Sequence, residues 1–200
     1  MLEAFTPPNA LFIATTAVIL AVPGPTNALL AASGAAHGLR LSLKLVPTVL
    51  IAYLAAILAW GIVLTPAAAA WPPIAPLMRL ACALFLAVTA VRLWRGTTRL
   101  SATPTPSVNT RAITLVTLLN PKAVLFATGG FPPTAFTQPD VFYAMAVAFA
   151  IPQLPIALAW IGVGASLSGT VGRISPQTIH RMAAILLAFF SASIGASALI

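Results

Sequence analysis

The chain has 200 residues, of which 60% are hydrophobic and only 6% charged, with a formal net charge of +8. Soluble domains carry roughly 25% charged residues, so an ordinary soluble fold is excluded. Ten basic against two acidic residues would suit a nucleic-acid binder, but the basic residues are scattered between apolar runs, a pattern that reports membrane topology and no nucleic-acid partner.

No charged residue occurs between Glu3 and Arg40, between Lys44 and Arg79, between Asp140 and Arg173, or after Arg181. Each gap holds the ~20 residues that a helix needs to span the hydrocarbon of a bilayer. Six spans are expected, at about 9–33, 45–65, 74–94, 112–132, 141–166 and 180–199. The first opens with Glu3 instead of a basic stretch and closes on no small-x-small cleavage site, so it is expected to be a span and not a removed signal. The third carries Arg79 and Arg92 near its ends, where long cationic side chains snorkel to the headgroups, and Trp71 and Trp94 flank it. Cys82 is the only cysteine, which rules out an intramolecular disulfide and any redox cycle through a cysteine pair.

The connections set the orientation. Arg40 and Lys44 lie in the first, Arg92, Arg95, Arg99 and Arg111 around the third, Arg173 and Arg181 in the fifth; these are eight of the ten basic residues. The positive-inside rule makes that side cytoplasmic and puts both termini outside a bacterial inner membrane. The third connection, "RGTTRLSATPTPSVNTR", is Ser-, Thr- and Pro-rich and reads as an extended linker at 96–111. It divides a single membrane domain into halves of three helices, 1–95 and 112–200. Three is odd, so the second half enters the membrane from the opposite face as an inverted repeat. The fold class is therefore an all-α integral membrane protein.

Two spans are interrupted. The first contains "LAVPGPTNALL", with Pro23 and Pro25 around Gly24; the fourth contains "TLLNPKAVLF", with Asn120, Pro121 and Lys122. Proline removes an amide and clashes with the carbonyl four residues back, so both helices should break. Counting from Arg111, Lys122 lies roughly 16 Å deep at ~1.5 Å per residue, near the bilayer centre. Paired breaks at corresponding depth in two halves point to a transporter binding site. Backbone groups freed there are costly against lipid but useful to a polar solute, and the helix starting after each break presents amides and a positive dipole end to an anion. Asn27 and Asn120 add amide side chains, and Thr15, Thr16, Thr128 and Gln153 are further candidates to line the cavity. Lys122 has no acidic neighbour in any span, so backbone carbonyls, water or a substrate carboxylate must meet its charge. Pro152 and Pro155, with no mate in the other half, read as a structural kink.

A membrane enzyme would need a nucleophile and base, paired carboxylates or metal ligands within reach of each other. Two histidines in separate connections, two acids at the outer edge and one cysteine assemble none of these; no enzyme activity, metal or cofactor is expected. A non-transporting scaffold or subunit is the competing reading, and it leaves a midplane lysine without a purpose.

The two motifs together resemble the LysE/RhtB-type amino-acid exporters: a PGP in the first helix, a basic glycine-containing loop ("GAAHGLR"), an NPK with a Phe-rich sequel ("FPPTAF"), and an arginine opening the sixth span ("HRMAAILLAFFSASIGASAL"). The likeness covers nearly the whole chain. It implies a small secondary transporter that exports amino acids or similar zwitterions, dimeric as a homodimer. Pro47 and Ala112 depart from the family's pattern, where glycines are common. The residues expected to contact substrate are Thr16, Pro23, Gly24, Pro25, Asn27, Asn120, Pro121, Lys122 and Gln153.

Overall fold

A computed structural model describes residues 10–95 and 110–169, together with positions 181, 184, 185, 188, 189, 191, 192, 195 and 196. Glu3, the linker residues 96–109, Arg173 and His180 lie outside the described residues, as do the side chains of Arg79 and Arg92. Every regular element among the described residues is helical: α1 (Ala10–Ala21), α2 (Pro25–Ser42), α3 (Leu45–Ala70), α4 (Ile74–Trp94), α5 (Thr110–Leu118), α6 (Pro121–Leu125) with a π-helical turn at Phe126–Gly130, a 3-10 turn at Pro133–Phe136, and α7 (Pro139–Gly169).

Leu45–Ala70 and Pro139–Ser166 are each long and apolar enough to cross a membrane. The pairs α1–α2 and α5–α6 also qualify once each is taken as one bent span, with bends of 64° and 44°. Both bends fall where the prolines are. α1–α2 runs alongside α7 and does not turn back on itself. Phe12 packs on Phe131 (6.1 Å between ring centroids), which packs on Phe142 (5.8 Å) in the first turn of α7. At the other end, Gly34 abuts Ile161 and Gly164 abuts Ala31. From Phe142 to Ile161 a helix rises roughly 29 Å, about the thickness of the hydrocarbon.

Polarity is distributed inside out. Thr16, Thr26, Asn27, Ser33, Ser42, Thr117, Asn120, Lys122 and Gln153 are buried, while Leu11, Ile51, Val63, Tyr143, Val147 and Ile151 are exposed. On α7 the exposed residues Tyr143, Val147, Ile151, Leu154 and Leu158 recur at three- and four-residue spacing, the stripe a helix presents to lipid. A surface of this kind is stable only in an apolar solvent.

α7 continues through both Pro152 and Pro155 as one helix. Pro47 sits in the first turn of α3, where its missing amide would have no helical acceptor, and its side chain is exposed. The expected first span ends later than 33: α2 runs to Ser42, interrupted only at Gly38 (φ 76°, ψ 173°). There the chain turns back so that Ser33 and Ser42 hydrogen-bond at 2.8 Å. Those dihedrals belong to glycine almost alone, and a side chain at Gly38 would meet nothing within 4 Å. Gly38→Ala should therefore destabilise by about 1–3 kcal/mol through backbone strain alone. Thermal unfolding in detergent measures this, and an unchanged midpoint would contradict it.

The described C-terminal helical residues dock on α4. Ser191 donates to the Ala83 carbonyl at 2.8 Å, and the Arg181 guanidinium lies 5.8 Å from the Trp94 ring centroid. Cys82 is buried, with its thiol 3.6 Å from the Pro121 carbonyl, so it faces a helix as a small apolar residue does.

Candidate functional site

The two proline breaks meet. Breaking α1 from α2 at residues 22–24 frees the carbonyls of Leu20 and Val22, both of which belong to buried residues. Left bare in an apolar medium, each would cost several kcal/mol. Two donors satisfy them together. Asn27 Nδ2 donates to Leu20 O and Val22 O, both at 2.8 Å, and Lys122 Nζ donates to Leu20 O at 3.3 Å and to Val22 O. One side chain comes from α2 and the other from α6, so the second break caps the first. An ammonium has three hydrogens, and the two carbonyls take two of them.

Gly24 explains the fit. A Cβ built there would lie 3.4 Å from Lys122 Cε and 3.5 Å from Nζ, so glycine keeps open the ground in front of the ammonium. Its backbone (φ −158°, ψ 177°) is extended, which any residue adopts, and a Cβ would sit at ordinary contact distance, so only a larger side chain would fill the space beside the ammonium. Pro25 opens α2 at the position where proline's missing amide is harmless. The amides of the first turn of α2 point back at the break.

Asn120 organises the second break. Its Oδ1 accepts from the Lys122 amide at 3.0 Å as the N-cap of α6, and its Nδ2 donates to Thr26 Oγ1 at 2.9 Å and Tyr53 Oη at 3.0 Å. Thr117 donates to the Ile113 carbonyl at 2.7 Å, so in the 3.1 Å contact between the two hydroxyls Thr26 must be the donor. The result is a directed chain, Asn120 to Thr26 to Thr117 to Ile113, in which each bond polarises the next. It joins α2, α5 and α6 in the protein interior, and the Asn120–Tyr53 bond adds α3. Pro121 follows Asn120 at N1 of α6, and its carbonyl receives the Cys82 thiol.

The remaining expected residues separate into two groups. Thr16 (1% exposed) and Gln153 (3% exposed) are buried, and Thr16 Oγ1 and Gln153 Oε1 have no hydrogen-bond partner. Thr15 is exposed on α1, and Thr128 is half-buried and donates back to the Val124 carbonyl at 3.0 Å. Three participants escaped the sequence reading: Thr26, Thr117 and Tyr53. Tyr53 had a signal, as a hydroxyl placed mid-span in an otherwise apolar helix. Thr117 had a weaker one, lying one turn before Asn120.

Toward the end of the protein away from Arg40 and Lys44, rings close over the cluster. Phe131 packs on Phe12, Phe136, Phe142 and Phe149 at centroid distances of 5.8 to 6.4 Å, and Phe149 packs on Tyr53 and Phe126. Phe136 in turn lies directly on Gly61 of α3. No group of three or more metal-ligating side chains exists among the described residues.

Searches of curated proteins and of solved structures returned no match to the chain. A family profile does match, that of the LysE type translocator, over residues 17–198. That match includes both breaks and the residues that meet between them, and by this measure the chain belongs to the LysE type translocator family of membrane transporters.

Proposed function

We propose that this protein is a secondary transporter that exports amino acids or similar small zwitterions across the bacterial inner membrane by alternating access, coupled to an ion. The observation that carries the reading is the reach of Lys122 from one proline break onto the carbonyls of the other. A structural subunit has no need of a buried cation there. A translocator of zwitterions does, because the cation meets a carboxylate that has left its water. On arrival the carboxylate takes over Lys122, and Asn27 keeps Leu20 and Val22 satisfied meanwhile. Pro23, Gly24, Pro25 and Pro121 shape the space; Asn120, with its amide hydrogens spent inside the protein, positions Lys122 and does not bind solute. The Phe131 rings form the barrier on the outer side.

In this reading the chain has six spans in two inverted halves, 1–95 and 112–200, joined by a cytoplasmic linker at 96–111, with both termini outside. Homodimer formation follows the family resemblance. Thr103→Cys in a Cys82→Ser background tests the topology, since serine retains a donor for the Pro121 carbonyl. An impermeant thiol reagent should label position 103 in inside-out vesicles only; labelling of intact cells would contradict the map. Counterflow in proteoliposomes tests transport. Vesicles preloaded with an unlabelled amino acid should accumulate the labelled one, whereas a scaffold gives the signal of empty liposomes. Gly24→Leu should insert and purify normally yet lose most counterflow, because its side chain occupies the space in front of Lys122. Full activity in that variant would reduce the first break to a structural bend.

A further inference from the structure

Two buried oxygens on neighbouring helices have no hydrogen-bond partner. Thr16 Oγ1 belongs to α1 and Gln153 Oε1 to α7, and α1 packs chiefly against α7. Thr16 and Leu20 are the two buried residues of α1, four apart and therefore on one face. The separation between them along the helix is ~6 Å. Leu20 is where Lys122 is anchored, so Thr16 lies one turn along α1 from that anchor. Gln153 lies one turn beyond Phe149 on the buried face of α7, and Phe149 packs on Tyr53, the acceptor of Asn120, and on Phe126. Between them, Pro152 supplies no amide to the carbonyl of Ala148, itself a buried residue. The α1–α7 seam thus holds two buried oxygens whose lone pairs are unused, near a cation rich in donors.

A buried acceptor with no donor costs roughly 1–3 kcal/mol, a deficit that a ligand carrying N–H groups removes on binding. The Asn27 and Asn120 amides do not offer the same relief, because their hydrogens are committed to acceptors inside the protein. We infer that Thr16 and Gln153 form the ammonium subsite of the substrate, facing the carboxylate subsite at Lys122. The inference rests on the exporter reading above and deepens it, since it requires an amino group as well as a carboxylate. The chain has no acidic residue to pair with an ammonium except Glu3 and Asp140; Asp140 is exposed in the first turn of α7. Neutral oxygens must therefore recognise the ammonium, which favours release as well as binding.

The test uses the full-length protein in proteoliposomes. The twenty L-amino acids are screened by counterflow, and each one carried is then competed by itself and by its 2-hydroxy acid, in which a hydroxyl replaces the ammonium. The wild type should prefer the amino acid by roughly tenfold or more, and Thr16→Val and Gln153→Leu should each shrink that ratio about three- to tenfold. Gln153→Glu, close in shape and carrying a stronger acceptor, should preserve or raise the ratio even if Gln153→Leu fails to fold. Lys122→Met should leave the ratio intact while weakening both competitors. Unchanged ratios in active Thr16→Val and Gln153→Leu, or a lower one in Gln153→Glu, would overturn the ammonium subsite and leave the exporter reading standing. Absence of counterflow in the wild type would overturn both.

Discussion

Lys122→Met should abolish most transport of carboxylate-bearing substrates while the protein still reaches the membrane folded. Methionine keeps most of the length of the stem and removes the charge. The fold survives because the two carbonyls that Lys122 caps are each also capped by Asn27 Nδ2 at 2.8 Å. What is lost is the cation that meets the solute. Deleting one partner of a buried charge pair costs at least about 2 kcal/mol, roughly thirtyfold in affinity. The carboxamide of the same amino acid has no anion to lose and should suffer far less. Lys122→Arg should recover only part of the activity. Its planar fork presents its donors differently from an ammonium's point charge and does not reproduce both carbonyl contacts. Competition of counterflow by the acid and by the amide is the measurement. Equal losses for both would mean that the lysine serves the fold or ion coupling.

The largest effect on folding is expected where α2 and α7 cross. A Cβ on Gly34 would overlap the Ile161 carbonyl, and a Cβ on Gly164 would overlap the Ala31 carbonyl. Both obstacles are backbone, which cannot rotate away as a side chain does, so the helices must separate. In a membrane, helices are held by close packing of small residues and not by expulsion of water, and separation forfeits that contact directly. Gly34→Ala and Gly164→Ala should each cost several times the ~1 kcal/mol typical of a point substitution, with loss of monodisperse protein after detergent extraction. Gly162→Ala is the internal control: it lies in the same helix, two residues away, and its Cβ would meet nothing within 4 Å. Fluorescence-detected size-exclusion chromatography separates the cases. Normal profiles for Gly34→Ala and Gly164→Ala would show that the crossing has slack.

Residue type alone made the two breaks legible. Pro23, Pro25 and Pro121 cannot continue a helix whatever surrounds them, and the structure bends at both places. Lys122 was legible because a charge in an apolar run has few solutions, and backbone carbonyls, one of those anticipated, are its partners here. Gln153 and Thr16 stood out as polar residues mid-span, and both are buried. Partnerships were not legible. Nothing local says that Asn27 caps the carbonyls five and seven residues before it, or that Thr26 reaches Thr117 across 91 residues of chain. Those contacts depend on how two broken spans cross. Thr15 and Thr16 are alike in sequence, and only the rotation of α1 against α7 buries one and exposes the other. Pro152 and Pro155 look in sequence like the other prolines, yet α7 stays one continuous helix through both, as helices in membranes can when neighbours satisfy the freed groups.

The Lys122 contact gives the meeting of the two breaks its purpose if solute binds there. A cryo-EM structure with the amino acid that gives the strongest counterflow tests it most directly. The account predicts the solute's carboxylate within hydrogen-bond distance of Lys122 Nζ, with Asn27 still on the carbonyls of Leu20 and Val22. A solute bound elsewhere, with Lys122 still engaged on those two carbonyls, would contradict it.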